Sequence, residues 1–114
     1  PVPLHPEREK ERGFNQAFMI GMGIASVLGV RVESGVLSRV VNTPSQTGLE
    51  RGQRADNVAE AFELRDTVCV EGCHVLLVDD VVTSGATIRA CMIELSKIKG
   101  VRVSVACLGK SGSI

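Results

Sequence analysis

"VLLVDDVVTSGAT", Val75–Thr87, is the stretch on which the reading of this chain turns. Four aliphatic residues, Val75–Val78, end on two adjacent carboxylates, Asp79 and Asp80, and the chain then runs into hydroxyls and a glycine. The run is short and follows a turn signal at Glu71-Gly72, so it reads as a buried strand. After Gly85, the residues Ile88, Cys91, Met92, Leu95 and Ile98 recur on one helical face. Lys97 and Lys99 suit the negative end of that helix, and Gly100 suits its stop. Val101, Val103, Val105 and Cys107 then alternate with polar or small residues as a second strand, with "GKSGSI" as a tail. Strand, helix, strand in this order predicts a parallel pair.

Upstream the same grammar continues. Phe14, Phe18, Met22, Ala25 and Leu28 lie at helical spacing, and Gly29 is placed to close that helix. Valine-rich residues 30–41 predict a strand broken near Ser34 and Gly35, and residues 58–64 (VAEAFEL) predict a short one. Between them "NTPSQTGLERGQRADN", residues 42–57, has no apolar period and is long enough to predict a functional lid. "PVPLH" at the start reads as the exit of a strand, so the native chain is expected to begin upstream of Pro1. The fold class predicted is α/β: one domain, residues 1–114, with an open, mainly parallel sheet flanked by helices and truncated at its N-terminal end.

Composition narrows the function. Thirteen Lys and Arg balance thirteen Asp and Glu, so no global field points to nucleic acid or an anionic membrane. With three Phe and no Trp or Tyr, the chain lacks the rings of a base-stacking surface, which argues against direct nucleic-acid binding. The charge-free run 17–28 falls short of the roughly 20 residues of a membrane span. Four scattered cysteines and no signal peptide predict a reducing, cytoplasmic setting.

The two halves of the opening stretch ask for opposite partners. In an open parallel sheet, ligands sit beyond the carboxyl ends of the strands, and Asp79 and Asp80 are expected at that edge. Val82, Thr83, Ser84, Gly85, Ala86 and Thr87 form the turn into the next helix, where amide groups, the positive helix end and hydroxyls suit a phosphate. Two carboxylates ~4 Å apart repel by about 4 kcal/mol at an effective dielectric near 20, so they require donors or a cation. A ribose 5-phosphate satisfies both halves, with its phosphate at the turn and its vicinal hydroxyls on the acids.

These thirteen residues resemble the ribose-phosphate signature of the type I phosphoribosyltransferases. "PVPLHPEREKERGFNQA" and "NTPSQTGLERGQRADNVAEAF" resemble the other two hallmark blocks of the ComF/GntX family, whose phosphoribosyltransferase domain is amidophosphoribosyltransferase-like. The resemblance implies binding of 5-phosphoribosyl 1-diphosphate with Mg2+ held through ligand and water, Asp79 and Asp80 on the ribose hydroxyls, and residues 82–87 on the 5-phosphate. It implies displacement at the anomeric carbon by an amine or base as diphosphate leaves, a step that needs positive charge. Arg8, Arg12, Arg51 and Arg54 are candidates for that charge, with Arg12, in "RGFNQ", preferred as catalytic and Arg51 and Arg54 as substrate-binding. Gln46 and Asn57 could orient a substrate, and His5 could approach the diphosphate. Family members are linked to competence and DNA uptake, with a DNA-uptake ATPase, helicase or DNA-processing protein as an expected partner, or to gluconate use in the GntX branch. The resemblance also places the chain in nucleoside metabolism and leaves a homodimer open. The cysteine-rich, zinc-binding segment usual in such proteins is missing, so no protein-held metal is expected. A non-catalytic adaptor that keeps the pocket is the alternative reading.

Three other motifs read as structure. "GMGIAS", Gly21–Ser26, lies inside the helical run and carries Ser26 where a dinucleotide fingerprint needs glycine. "GKS", Gly109–Ser111, has Ser104 where a Walker loop needs its first glycine. Cys69, Cys73 and His74 lack a second ligand pair for a metal, while Cys91 and Cys107 are expected in the core.

Overall fold

The computed structural model describes residues 1–40 and 61–111. In chain order it runs α1 (Pro6–Arg12), α2 (Gln16–Leu28), β1 (Leu37–Arg39), β2 (Phe62–Leu64), a 3-10 turn at Val68–Val70, β3 (His74–Val82), α3 (Ala86–Leu95) and β4 (Arg102–Lys110). β3 and β4 pair in parallel, from His74 opposite Arg102 to Val82 opposite Lys110, with α3 as the crossover. β1 and β2 pair antiparallel, Leu37 opposite Leu64 and Arg39 opposite Phe62. The architecture is the open α/β fold expected, with one parallel pair and no closed barrel among the described residues.

β3 organises the molecule because its alternate residues bury on two sides. Leu77, 2 % exposed, joins a cluster with Val36, Leu37, Phe62, Cys91 and Leu95. Val78, also buried, lies outside that cluster, and α2 packs on β3 through a face that buries Ala17, Gly21 and Ala25. Burial of a side chain such as Leu77 stabilises the fold by about 2 kcal/mol. The opposite edge of β3 from β4 is met by the chain start, where the Val2 amide donates to the Val78 carbonyl at 2.8 Å.

Several expectations shift in detail. α2 turns its small residues inward and leaves Met22 and Leu28 exposed, as Phe14 is just ahead of it, although the large apolar residues mark a plausible face. Its rotation is set at the N-cap: the Asn15 side chain donates to the Val2 carbonyl at 3.1 Å and accepts from the Phe18 amide at 3.3 Å. The strand predicted over 30–41 contracts to Leu37–Arg39 among the described residues. A bend at Gly35-Val36 precedes it, and beyond the ladder the Val36 and Gly35 carbonyls accept from Arg65 and Asp66. α3 ends at Leu95, and the turns after it bury Ile98 before Gly100 in the left-handed region. Cys107 is exposed, contrary to expectation, because β4 runs past the core: Val101 and Val103 pack against the cluster and the later residues do not. The charged stretch 7–12 is helical, with no buried residue, and is capped by His5, whose Nδ1 accepts from the Glu7 amide at 3.2 Å. The lid and its Gln46, Arg51, Arg54 and Asn57 lie outside the described residues.

Candidate functional site

The site begins as a continuation of the core. Strand alternation carries the face of Leu77 on to Asp79 and the face of Val78 on to Asp80. β3 does not stop at these acids: its ladder with β4 includes Asp79 opposite Cys107 and continues to Val82. The acids therefore stand on a rigid strand two to three residues before its end, where the sequence suggested the strand's mouth.

Each carboxylate folds back along its own chain. Asp79 Oδ1 accepts from the Asp80 amide at 2.8 Å, and Asp80 Oδ1 accepts from the Val81 amide at 2.7 Å. Each carboxylate thus accepts one backbone bond, and the two side chains also interact with each other. Asp79 is half-buried, and loss of water raises its carboxyl to about 6. The Asp80 amide opposes that rise, the neighbouring Asp80 carboxyl adds to it, and the Arg39 guanidinium opposes it.

Beyond the acids, residues 83–85 turn the chain into α3. Gly85 sits at the N-cap with φ 83°, a left-handed conformation that a glycine adopts without steric penalty. No side-chain hydrogen bond caps α3 from that residue, while Ser84 Oγ accepts from the Ala86 amide at 3.3 Å. A cavity of about 110 Å3 lies here, lined by Asp79, Val81, Val82, Thr83, Ser84, Gly85, Ala86, Thr87 and Ile88. The structure thus brings Asp79 together with all six residues of the expected phosphate turn. Asp80 adjoins the cavity through its neighbours and does not line it.

The cationic candidates fall elsewhere. Arg12 is exposed at the end of α1, and its Nη1 donates to Gln16 Oε1 at 3.0 Å. Arg8, on α1, is half-buried, and its charge is felt at Arg39. Arg39 itself escaped the sequence reading. Its guanidinium stands 4.9 Å from the centre of the Phe62 ring, and burial lowers its pKa from the usual arginine range. The signal was present: a cation at the close of the aliphatic strand "VLSRVV", where exposure cannot be assumed.

The dinucleotide-like motif and the start of the Walker-like one lie within regular elements. Gly21–Ser26 lies within α2, where Ser26 Oγ donates to the Gly23 carbonyl at 2.9 Å. Gly109 and Lys110 are in β4, and the Ser111 amide donates to the Val82 carbonyl at 2.9 Å. His74 Nε2 lies 2.7 Å from Ser104 Oγ, and no group of three or more metal-ligating side chains occurs among the described residues. A second cleft of about 350 Å3, between α2, β3 and residues 30–37, is lined mainly by aliphatic side chains, with Arg31, Glu33 and His74 among its polar lining residues.

Comparison with known proteins agrees with this geometry. The family described as the phosphoribosyl transferase domain matches residues 15–113. A DNA utilization protein, YhgH, of Salmonella typhi is 36% identical over 107 residues, covering 94% of this chain and 46% of its own length. Competence protein F of Haemophilus influenzae is 34% identical over 99 residues, covering 86% of this chain and 42% of that protein. Competence protein ComFC of Bacillus subtilis is 34% identical over 104 residues, covering 89% and 40%. The chain belongs to the phosphoribosyl transferase domain family, type I in fold, and within it to the ComF group. It spans less than half the length of the curated relatives it matches. No solved structure matches it. Among the described residues no helix is long and apolar enough to cross a membrane.

Proposed function

We propose that this domain binds a phosphoribosyl ligand, 5-phosphoribosyl 1-diphosphate, and serves in ComF-like competence and DNA uptake. The observation that carries the reading is the shared cavity: one wall is a strand-borne, half-buried acid, and the other is a glycine-cornered turn into a helix N-terminus. The turn suits the 5-phosphate, and the remaining oxygens of Asp79 and Asp80 suit the ribose hydroxyls. Mg2+ would be carried by the diphosphate and its water, and no described side chain is assigned to the ion. When bound, the ion would offset charge on the departing diphosphate.

The relatives' names support the competence part of this reading, and partnership with a DNA-uptake ATPase, helicase or processing protein is proposed on the same ground. The adaptor alternative draws on Arg12, which is bonded to Gln16 at the solvent face rather than aimed at the cavity. A calorimetric titration with 5-phosphoribosyl 1-diphosphate and magnesium tests the site. The double substitution Asp79→Asn with Asp80→Asn should weaken binding at least tenfold, or about 1.4 kcal/mol. Equal affinity in the double variant removes the acids from the site. Diphosphate release with amine or base acceptors separates enzyme from adaptor.

A further inference from the structure

The turn assigned to the phosphate contains no cation. Residues 82–87 are aliphatic, hydroxyl-bearing or glycine, and the cavity they line also holds the acid Asp79. A phosphate seated there would lie close to Asp79 and Asp80. The positive end of one helix, about half an elementary charge, does not offset two carboxylates, so the balance asks for a full positive charge from outside the turn. Arg89, in the first turn of α3, lines a separate surface with Met92, Ile93 and Ser96.

The strand ladder supplies that charge. β4 ends on Lys110, which lies opposite Val82, the last residue of β3 before the turn. The register is pinned just beyond, where the Ser111 amide donates to the Val82 carbonyl at 2.9 Å. Val82 lines the cavity, so Lys110 borders it from the next strand without lining it. Neighbouring strands run ~4.8 Å apart and a lysine ammonium extends on the order of 6 Å from its Cα, enough to cover that distance. The side chain is exposed, and no ion pair holds it to an acid among the described residues, Asp80 included, although Asp80 is its diagonal neighbour on the same face. Both strands end here at the carboxyl edge of the parallel pair, the edge at which open sheets take their ligands.

We propose that Lys110 is a ligand-binding residue of the site, the cation that β4 adds to the turn, and that its ammonium takes an oxygen of the ligand's 5-phosphate. This rests on the ribose-phosphate reading of the cavity. In the sequence Lys110 belongs to a tail and to an incomplete Walker motif; only the pairing of β4 with β3 brings it beside the turn. A point charge on a flexible stem needs no particular hydrogen-bond geometry, so another cation should replace it and a neutral side chain should not.

The test is a calorimetric titration of ribose 5-phosphate at low salt into the wild-type chain, Lys110→Met and Lys110→Arg. Lys99→Met serves as a control, since Lys99 lies at the opposite end of the β3–β4 pair, where its carbonyl accepts from the Gly72 amide. Lys110→Met should bind about five- to tenfold more weakly, Lys110→Arg should stay within about threefold of wild type, and Lys99→Met should match it. Added salt should narrow the gap between wild type and Lys110→Met. If the methionine variant binds as wild type does, the proposal is overturned. An equal loss in Lys99→Met also overturns it, because the effect would then belong to the charge of the whole chain. A loss seen with 5-phosphoribosyl 1-diphosphate and Mg2+ but not with ribose 5-phosphate puts the ammonium on the diphosphate, which overturns the proposal and leaves the turn as the phosphate site. Wild type that binds no ribose 5-phosphate removes the ribose-phosphate reading itself, and Lys110 with it. Should Lys110→Met shift the urea midpoint, Lys110→Gln gives the same comparison.

Discussion

Removing the charge of Asp79 should make the empty protein more stable at neutral pH. In an unfolded chain the carboxyl titrates near 3.9, and in the fold it is pushed up to about 6, chiefly by burial. Between these values the native state holds a proton that the unfolded state has released. Stability therefore is fully present below pH 4 and falls as pH rises through about 6. Two pH units correspond to about 3 kcal/mol, and because the group is only half-buried, solvent screening reduces this to ~1–2 kcal/mol. Asp79→Asn abolishes the penalty while keeping an oxygen for the Asp80 amide, which it now receives at 2.8 Å. Urea denaturation at pH 7.5 and at pH 4 is the assay. The variant should exceed wild type by ~1–2 kcal/mol at pH 7.5 and match it at pH 4. A variant less stable than wild type at pH 7.5, or one whose advantage does not vary with pH, would refute the reasoning.

Two further outcomes follow from the same structure. Gly29 and Gly100 both adopt φ 70°, but a Cβ on Gly29 meets nothing within 4 Å, whereas one on Gly100 falls 3.2 Å from the Gly72 Cα. Gly29→Ala should thus cost about 1 kcal/mol for backbone strain alone, and Gly100→Ala should cost measurably more, because backbone atoms cannot swing aside; equal midpoints in urea would contradict the contact. Cys91 is 0 % exposed with its thiol pushed up to about 12, while Cys69, Cys73 and Cys107 are exposed. Maleimide at pH 7.5 should modify those three and spare Cys91 until denaturant is added, and rapid labelling of Cys91 in the native protein would show that its burial is wrong.

The sequence disclosed most where one residue type admits one use. The aliphatic run, the paired acids and the hydroxyl-glycine turn in Val75–Thr87 left little room for any reading but a strand feeding a helix, and the structure brings Asp79 and residues 82–87 to one cavity. It disclosed less where several faces were equally apolar. In α2 either large or small residues could have turned inward, and the choice was made by the Asn15 side chain bridging to Val2, a contact thirteen residues apart that periodicity cannot see. The same limit hid Arg39. Its importance comes from Phe62, which lies across β1–β2 and is adjacent only after folding. The pairing of β1 with β2 was equally nonlocal, since nothing in either short segment names its partner.

The placement of the acids within the strand has a mechanical consequence. Asp79 is held from three sides: β4 through the ladder at Cys107, the chain start through the bond from Val2 to Val78, and the core through Leu77. The other wall of the cavity is a turn, cornered by Gly85 and outside the strand ladder, which ends at Val82. On the proposed reading, a ligand carrying a phosphate at one end and hydroxyls at the other would therefore meet a strand-mounted acid and a turn outside the ladder. That division favours accuracy where the hydroxyls must be oriented, because groups mounted on strands keep their geometry better than groups on loops. It also explains why a destabilising acid sits on the most constrained strand: only a site that cannot relax will keep a half-buried carboxyl near a second one instead of turning it out to water.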